Sequence, residues 1–148
     1  MHEFSNHQIS NVEAMISEST PRSVVLEYLR DHLGFCDFSL LLLSIPNPNY
    51  PKLSNILPKM SSVEVQERWT GNSGLALLTQ SMDFVKIVSS IYAEINSRGM
   101  RGTKVLDYGC GYGRLARLFY YYINEDDFYG VSVRPSTPFK FSKSHYGT

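Results

Sequence analysis

The feature that most constrains the fold lies at residues 104–118, where a short apolar segment runs into an acid and three alternate glycines. Val105 and Leu106 suit a buried strand of a parallel sheet. The glycines that follow end that strand in a turn; they are Gly109, Gly111 and Gly113. Apolar side chains then recur at helical spacing, which predicts an amphipathic helix that begins near Arg114.

Alternate glycines at the end of a strand favour a ligand-binding loop. Glycine has no Cβ, so the backbone can take positive φ and approach a ligand closely. Free amides at the start of the helix would offer hydrogen-bond donors and positive potential. The alternative is a tight strand-to-helix connection without a ligand, and Asp107 ahead of three glycines argues against it.

The spacing of the glycines discriminates between ligands. A dinucleotide-binding Gly-x-Gly-x-x-Gly motif that starts at Gly109 requires glycine at position 114, which is Arg114. The phosphate loop of nucleoside triphosphatases requires Gly-Lys-Ser or Gly-Lys-Thr, and neither follows. The motif present is an acid, Asp107, followed by glycine at every second position from Gly109 to Gly113.

This arrangement resembles the first motif of class I S-adenosylmethionine-dependent methyltransferases. An acid suits a cofactor that carries an ammonium and a sulfonium and has no pyrophosphate. The resemblance implies that Asp107 faces the methionine end of the cofactor, directly or through water, while the backbone of the glycines leaves room for it. Cys110 lies within this cofactor-binding loop; no base is predictable for it, and we expect it to pack beneath the loop.

A second strand is predicted at Phe128–Val133, after an acidic turn, so that strand, helix and strand form one crossover unit. In the resembled family an acid near the end of this strand binds the ribose hydroxyls of the cofactor. That position holds Ser132, whose hydroxyl is not a charged bidentate acceptor. We therefore expect the cofactor to bind more weakly than with an acid at this position.

Residues 1–102 are expected to form a mainly helical region. Helices are predicted over Asn11–Ser19, from Thr20-Pro21 to Gly34, and from a capping box at Ser61 to Gly71. Phe35–Ile45 is either a strand or a buried helix, and the proline-rich segment at 46–51 is a loop. A further helix through residues 84–95 carries an apolar stripe that is expected to pack against the sheet.

Trp69, the single tryptophan, stands where the helix from Ser61 ends. In many methyltransferases of the resembled type an N-terminal helical segment covers the cofactor, and the resemblance assigns that role to the stretch around Trp69. The simpler interpretation, which is slightly favoured, is a tryptophan that fills the core.

The fold class is therefore α/β: a helical region at 1–102, the start of a Rossmann-like cofactor-binding domain at 103–133, and an irregular tail at 134–148. The tail is too short for another βαβ unit of ~30 residues, and the resembled family has a seven-stranded sheet. Either the chain is a truncated methyltransferase, which is favoured, or another copy completes its sheet as a homo-oligomer.

Composition excludes several function classes. Fourteen basic and fourteen acidic residues balance, so no nucleic-acid-binding face is indicated. Two cysteines are too few for a disulfide framework, which favours a reducing compartment and a cytoplasmic location. No apolar run reaches the ~18 residues of a membrane span, and the four histidines lack zinc-ligand spacing.

The predicted function is methyl transfer from S-adenosylmethionine to a small-molecule acceptor, with no catalytic base identified. The alternative is a non-catalytic protein, derived from a methyltransferase, that binds a nucleoside or a partner.

Overall fold

A computed structural model describes residues 3–132 of the chain, with side chains described from Asn6 onward. These residues form an α/β structure that is mostly helical and includes a two-stranded parallel sheet. The chain divides into two compact units between Met82 and Asp83, within one long helix. Among residues 3–132, no helix combines the length and hydropathy needed to cross a membrane.

The first unit is helical. Its elements are α1 (Glu3–Met15), α2 (Arg22–His32), α3 (Phe35–Ser44), α4 (Pro51–Ile56), α5 (Val63–Thr70) and the first part of α6 (Gly74–Asn96). Helix α1 packs against α2 and α4. Aliphatic and aromatic side chains that are at most 2% exposed form its core: Ile9, Val12, Val25, Leu26, Leu29, Phe38, Leu41, Leu42, Leu53, Leu57, Leu77 and Leu78.

Glu13 fixes the position of α4 against α1. Its two carboxylate oxygens accept hydrogen bonds from the backbone N–H groups of Lys52 and Leu53, at 2.7 and 2.8 Å. These amides lie in the first turn of α4, where the helix itself provides no acceptor. A residue some forty positions away in sequence therefore caps this short helix.

Several predicted boundaries in this unit are wrong. The first helix was expected at Asn11–Ser19, but α1 spans Glu3–Met15. It starts earlier because Ile9 is fully buried, one helical turn before Val12. Helix α2 ends at His32 with Leu33 as its C-cap, and Gly34 instead forms the N-cap of α3.

The ambiguous segment at Phe35–Ile45 is a helix. It has five buried residues in α3, one of which is Ser39. The Ser39 hydroxyl donates to the Phe35 carbonyl oxygen at 2.7 Å, which satisfies its polar group inside the core.

Helix α5 was predicted to start at Ser61, and its N-cap is the next residue, Ser62. The Ser62 hydroxyl accepts from the Val65 N–H at 3.4 Å. The predicted end at Gly71 is confirmed, since this glycine has φ of 72° and forms a left-handed cap.

The second unit contains the rest of α6, strand β1 (Val105–Tyr108), helix α7 (Ala116–Phe119), a 3₁₀ turn at Glu125–Asp127 and strand β2 (Phe128–Val131). The predicted parallel pairing of the strands is confirmed, with Asp107 opposite Gly130 in the register. Helix α7 has four residues and is shorter than predicted, because turns occupy residues 111–115.

The expectation that β1 is buried on both faces is wrong. Leu106 and Tyr108 are 67% and 78% exposed, and their register partners on β2 are 48% and 43% exposed. These partners are Tyr129 and Val131. Within the described part of the chain, one face of this parallel sheet is therefore apolar and uncovered.

The expectation that the apolar stripe of α6 forms core is wrong for four of its six residues, since only Val88 and Tyr92 are half-buried. Phe84, Ile87, Ile91 and Ile95 are 49 to 75% exposed. Within the second unit, Tyr92 of this stripe accepts a hydrogen bond on its hydroxyl oxygen from the Thr103 hydroxyl at 2.7 Å. Helical periodicity identifies an apolar stripe but does not determine which face a neighbour covers.

Candidate functional site

The glycine-rich loop joins the end of β1 to the turns that precede α7. Its three glycines, Gly109, Gly111 and Gly113, have φ of 89°, 55° and 80°. Residues with a side chain rarely adopt this left-handed conformation. A Cβ on Gly109 would meet no atom within 4 Å, so the glycine is needed for its backbone conformation and the space beside it is open.

Hydrogen bonds fasten this loop to β2. The N–H groups of Gly109 and Cys110 both donate to the Val131 carbonyl oxygen, at 2.7 and 3.1 Å, and the Gly113 N–H donates to the Cys110 carbonyl oxygen at 2.9 Å. These three loop amides are therefore satisfied within the protein. The bonds to Val131 continue the strand ladder beyond Tyr108, so the loop is held in a fixed conformation.

Asp107 is half-buried at the end of β1. Burial raises the pKa of its carboxyl above the usual value, and the positive charge of Arg114 partly opposes that shift. A carboxylate in this position can attract a cationic group of a ligand.

Cys110 is buried, with 8% of its surface exposed, and its thiol lies 3.9 Å from the Gly111 carbonyl oxygen. Burial raises the pKa of this thiol, and the negative charge of Asp107 raises it further. The group therefore stays protonated at neutral pH and is a poor nucleophile. Its packing agrees with the expectation of a small residue beneath the loop.

Ser132 directly follows β2 and is exposed. Because parallel strands have their carboxyl ends at the same edge of a sheet, Ser132 lies at the same edge as Asp107 and the glycine-rich loop. The structure thus brings together all the predicted site residues that belong to the second unit.

Trp69 belongs to the last turn of α5 in the first unit and is 37% exposed. The favoured interpretation, in which Trp69 fills the core, is therefore wrong. Its role as part of a cover over the cofactor stays a prediction.

Sequence reasoning missed one residue of this region, Arg117 in α7. Its side chain is 2% exposed, and its three guanidinium nitrogens have no hydrogen-bond partner among the described residues. Burial lowers the pKa of Arg117 to about 10, and Tyr112 of the loop is the group that opposes this shift. No sequence signal marks this arginine, since a charged residue within an amphipathic helix is ordinarily assigned to the exposed face.

Residues 6–132 contain no group of three His, Cys, Asp or Glu side chains that is arranged to hold a metal ion. In comparisons with known proteins, no protein-family model matches the chain, and neither curated proteins nor solved structures provide a match.

Proposed function

We propose that the chain is an S-adenosylmethionine-dependent methyltransferase, or a truncated form of one, and that the loop at Gly109–Gly113 binds the cofactor. The observation that carries the proposal is the combination of an acid at the end of β1 with three positive-φ glycines, the first of which, Gly109, lies beside open space. The parallel pairing of β1 and β2 supports the start of a Rossmann-like sheet.

The chemistry of the loop supports this cofactor over a dinucleotide. The half-buried carboxyl of Asp107 stands beside the loop, where a pyrophosphate would be repelled and an ammonium or sulfonium attracted. The Gly109 and Cys110 amides are already bonded to Val131, which leaves them unable to bind a phosphate. A cationic, non-phosphorylated nucleoside fits both features.

In the proposed reaction a nucleophile of the acceptor attacks the methyl carbon as the bond from that carbon to the sulfonium sulfur breaks. The products are the methylated acceptor and S-adenosylhomocysteine, and the nucleophile loses its proton where it carries one. The contribution of the protein is mainly to place the nucleophile in line with the methyl group. We assign no catalytic base and propose a small-molecule acceptor.

Isothermal titration calorimetry with S-adenosylmethionine and S-adenosylhomocysteine tests the proposal. We expect saturable binding that is lost in Asp107→Ala, because the substitution removes the anion that attracts the cationic end of the ligand. The exposed Asp83→Ala serves as a matched control and should bind as the wild type does. The absence of binding at millimolar ligand would falsify the cofactor assignment for this chain.

Ser132 favours a second candidate, a non-catalytic protein that binds a nucleoside weakly. It is the residue at the end of β2 where the resembled family has a ribose-binding acid, and a hydroxyl is a weaker acceptor than a carboxylate. If Ser132 lies beside the ribose, Ser132→Asp should tighten nucleoside binding by roughly tenfold, the value of one charge-assisted hydrogen bond. Ser132→Asn, which lacks the charge, is the control and should change the affinity much less.

The exposed sheet face supports the proposal that a second copy of the chain completes the structure. Leu106, Tyr108, Tyr129 and Val131 form an apolar surface of the kind that parallel sheets normally bury. Size-exclusion chromatography with light scattering should show a dimer or larger assembly. A stable monomer would contradict the homo-oligomer.

A further inference from the structure

The second unit carries two apolar surfaces that stay exposed among the described residues. One is the sheet face, formed by Leu106, Tyr108, Tyr129 and Val131. The other is the exposed part of the α6 stripe, formed by Phe84, Ile87, Ile91 and Ile95. Each of these side chains is between 43 and 78% exposed. Contiguous apolar patches on a folded protein mark interaction surfaces.

The two surfaces match each other in kind and in length. Parallel sheets are normally covered by helices on both faces, and α7 packs against β2 through the Phe119 and Phe128 rings on the other face. The stripe from Phe84 to Ile95 is about 16 Å long, at 1.5 Å per helical residue. The four-residue strands are about 13 Å long, at 3.3 Å per residue. One helix of this length therefore spans the exposed sheet face.

The exposed area suffices for a stable pair of copies only when both surfaces take part. At about 150–200 Å² for a large apolar side chain, the four residues of either surface expose roughly 400 Å². A standard interface buries about 800 Å² on each partner. Pairing of like surfaces, sheet to sheet or helix to helix, therefore provides only about half of that area. Two reciprocal contacts of helix on sheet use both surfaces of each copy and reach it.

Charged residues at the borders of the two surfaces are opposite in sign. Glu94 follows Ile87 by about two helical turns, so it borders the stripe. Lys104 lies just ahead of β1, and strand alternation places it on the side of Leu106, at the amino end of the exposed face. Both side chains are exposed, and neither forms an ion pair with another described residue.

These charges also select the orientation of the helix. Glu94 lies near the C-terminal end of α6, which has negative partial charge and no basic residue in its last turn. That end is attracted to Lys104 at the amino edge of a sheet. An antiparallel pair of α6 helices would instead bring Glu94 towards Asp83 of the other copy, because the two acids lie about three turns apart along one edge of the stripe.

We propose that the α6 stripe of a second copy covers the apolar sheet face, with the helix antiparallel to the strands and Glu94 beside Lys104 of the other copy. The inference rests on the homo-oligomer in the proposed function and is independent of the cofactor assignment. In a closed pair both contacts form at once, so each copy contributes one helix and one sheet face to the interface.

Sedimentation-velocity ultracentrifugation of the full chain over a range of concentrations tests the two surfaces. Ile87→Lys and Tyr129→Lys each place an unpaired charge in the contact, so each should raise the dissociation constant at least tenfold. Val24→Lys, at an apolar α2 residue that is 53% exposed, is the matched control and should associate as the wild type does. Circular dichroism should show folded monomers, because all three residues are exposed within one chain.

Charge reversal tests the orientation. Glu94→Lys opposes two lysines and Lys104→Glu opposes two glutamates, so each variant alone should associate roughly tenfold more weakly than the wild type. An equimolar mixture of the two variants restores both opposite-charge pairs and should regain the wild-type affinity. High salt should shrink all of these differences.

Several results would overturn the inference. Association that persists in Ile87→Lys or in Tyr129→Lys would mean that one of the two surfaces takes no part, and the homo-oligomer would then stand without the contact of helix on sheet. Tighter association of Glu94→Lys alone would indicate a pair of α6 helices. A mixture no tighter than its components would rule out the contact between Glu94 and Lys104. A monomeric wild type would end both the homo-oligomer and this inference, whereas the cofactor titration would still decide the cofactor assignment.

Discussion

The backbone N–H of Gly109 donates to the carbonyl oxygen of Val131 at 2.7 Å, which fastens the glycine-rich loop to the end of the second strand. The adjacent Cys110 N–H donates to the same oxygen at 3.1 Å. Two consecutive amides on one acceptor require a sharp change of backbone direction, and Gly109 provides it with φ of 89°. The loop is therefore preorganised by β2 before any ligand binds.

Gly109→Ala should destabilise the protein by about 1–2 kcal/mol, because an L-residue is strained in the left-handed region. The added methyl group meets no atom within 4 Å, so the loss measures backbone strain and not a steric clash. Urea unfolding provides the measurement.

Gly34→Ala is the matched control for that substitution. Gly34 also has open space around it, but its φ of −69° is accessible to alanine. We expect a change in the free energy of unfolding within about 1 kcal/mol, because alanine restricts the unfolded chain and is not strained at this φ. Equal effects of the two substitutions would contradict the strain assigned to Gly109.

The carboxyl of Asp107 should make stability depend on pH. Its folded pKa is raised above the usual 3.8, so the folded protein holds this proton more tightly than the unfolded chain. The contribution of Asp107 to the free energy of unfolding is therefore greatest below pH 3.8. This contribution is lost as the pH rises through the folded pKa.

Asp107→Asn removes this titration. The stability of Asp107→Asn relative to the wild type should rise with pH from about 4 and then become constant. Urea unfolding between pH 3.5 and 8 measures the difference, with the exposed Asp83→Asn as control. A difference that stays flat or falls with pH would contradict the raised pKa. The same substitution should weaken cofactor binding, so stability and function oppose each other at this residue.

The two cysteines should react at different rates with iodoacetamide. Cys36 is exposed, whereas Cys110 is buried and has a raised pKa. Alkylation requires the thiolate, so Cys110 should be modified much more slowly at pH 8. Mass spectrometry of peptides gives both rates, and denatured protein, in which both sites should react, is the control. Equal rates in the folded protein would show that the loop does not shield Cys110.

Helix α6 offers a direct comparison between its exposed and buried faces. Leu78 is 1% exposed, so Leu78→Ala should lower the free energy of unfolding by about 2–5 kcal/mol. Ile91, which is 51% exposed, should tolerate Ile91→Lys within about 0.5 kcal/mol. Chemical denaturation of both variants as dilute monomers tests the assignment of faces. A large loss in Ile91→Lys would show that the apolar stripe is covered.

Local signals in the sequence predicted much of the site. An acid, three glycines and an apolar segment on each side were sufficient to predict the loop, both strands and their parallel order. Gly71 and the prolines at 46–51 likewise predicted chain breaks, since their conformational limits act within one or two residues. Such features need no knowledge of distant contacts.

Features that depend on tertiary contacts were not predictable. The cap of α4 comes from Glu13, which is 39 and 40 residues away from the amides that it binds. The two apolar faces of α6 look alike in sequence, and only packing decides that Leu77 is buried and Ile95 is 75% exposed. Arg117 was missed for the same reason, because burial of a charged side chain has no local signature.

Two-dimensional ¹H–¹⁵N NMR during a titration with S-adenosylhomocysteine tests the central claim most directly. If the loop binds the cofactor, the amide signals of Gly109, Gly111 and Gly113 should shift together and saturate at one ligand per chain. Signals of the α1 and α2 residues provide the internal reference. Saturable shifts that leave these three glycines unchanged, or no shifts at millimolar ligand, would contradict the assignment of the loop as the cofactor site.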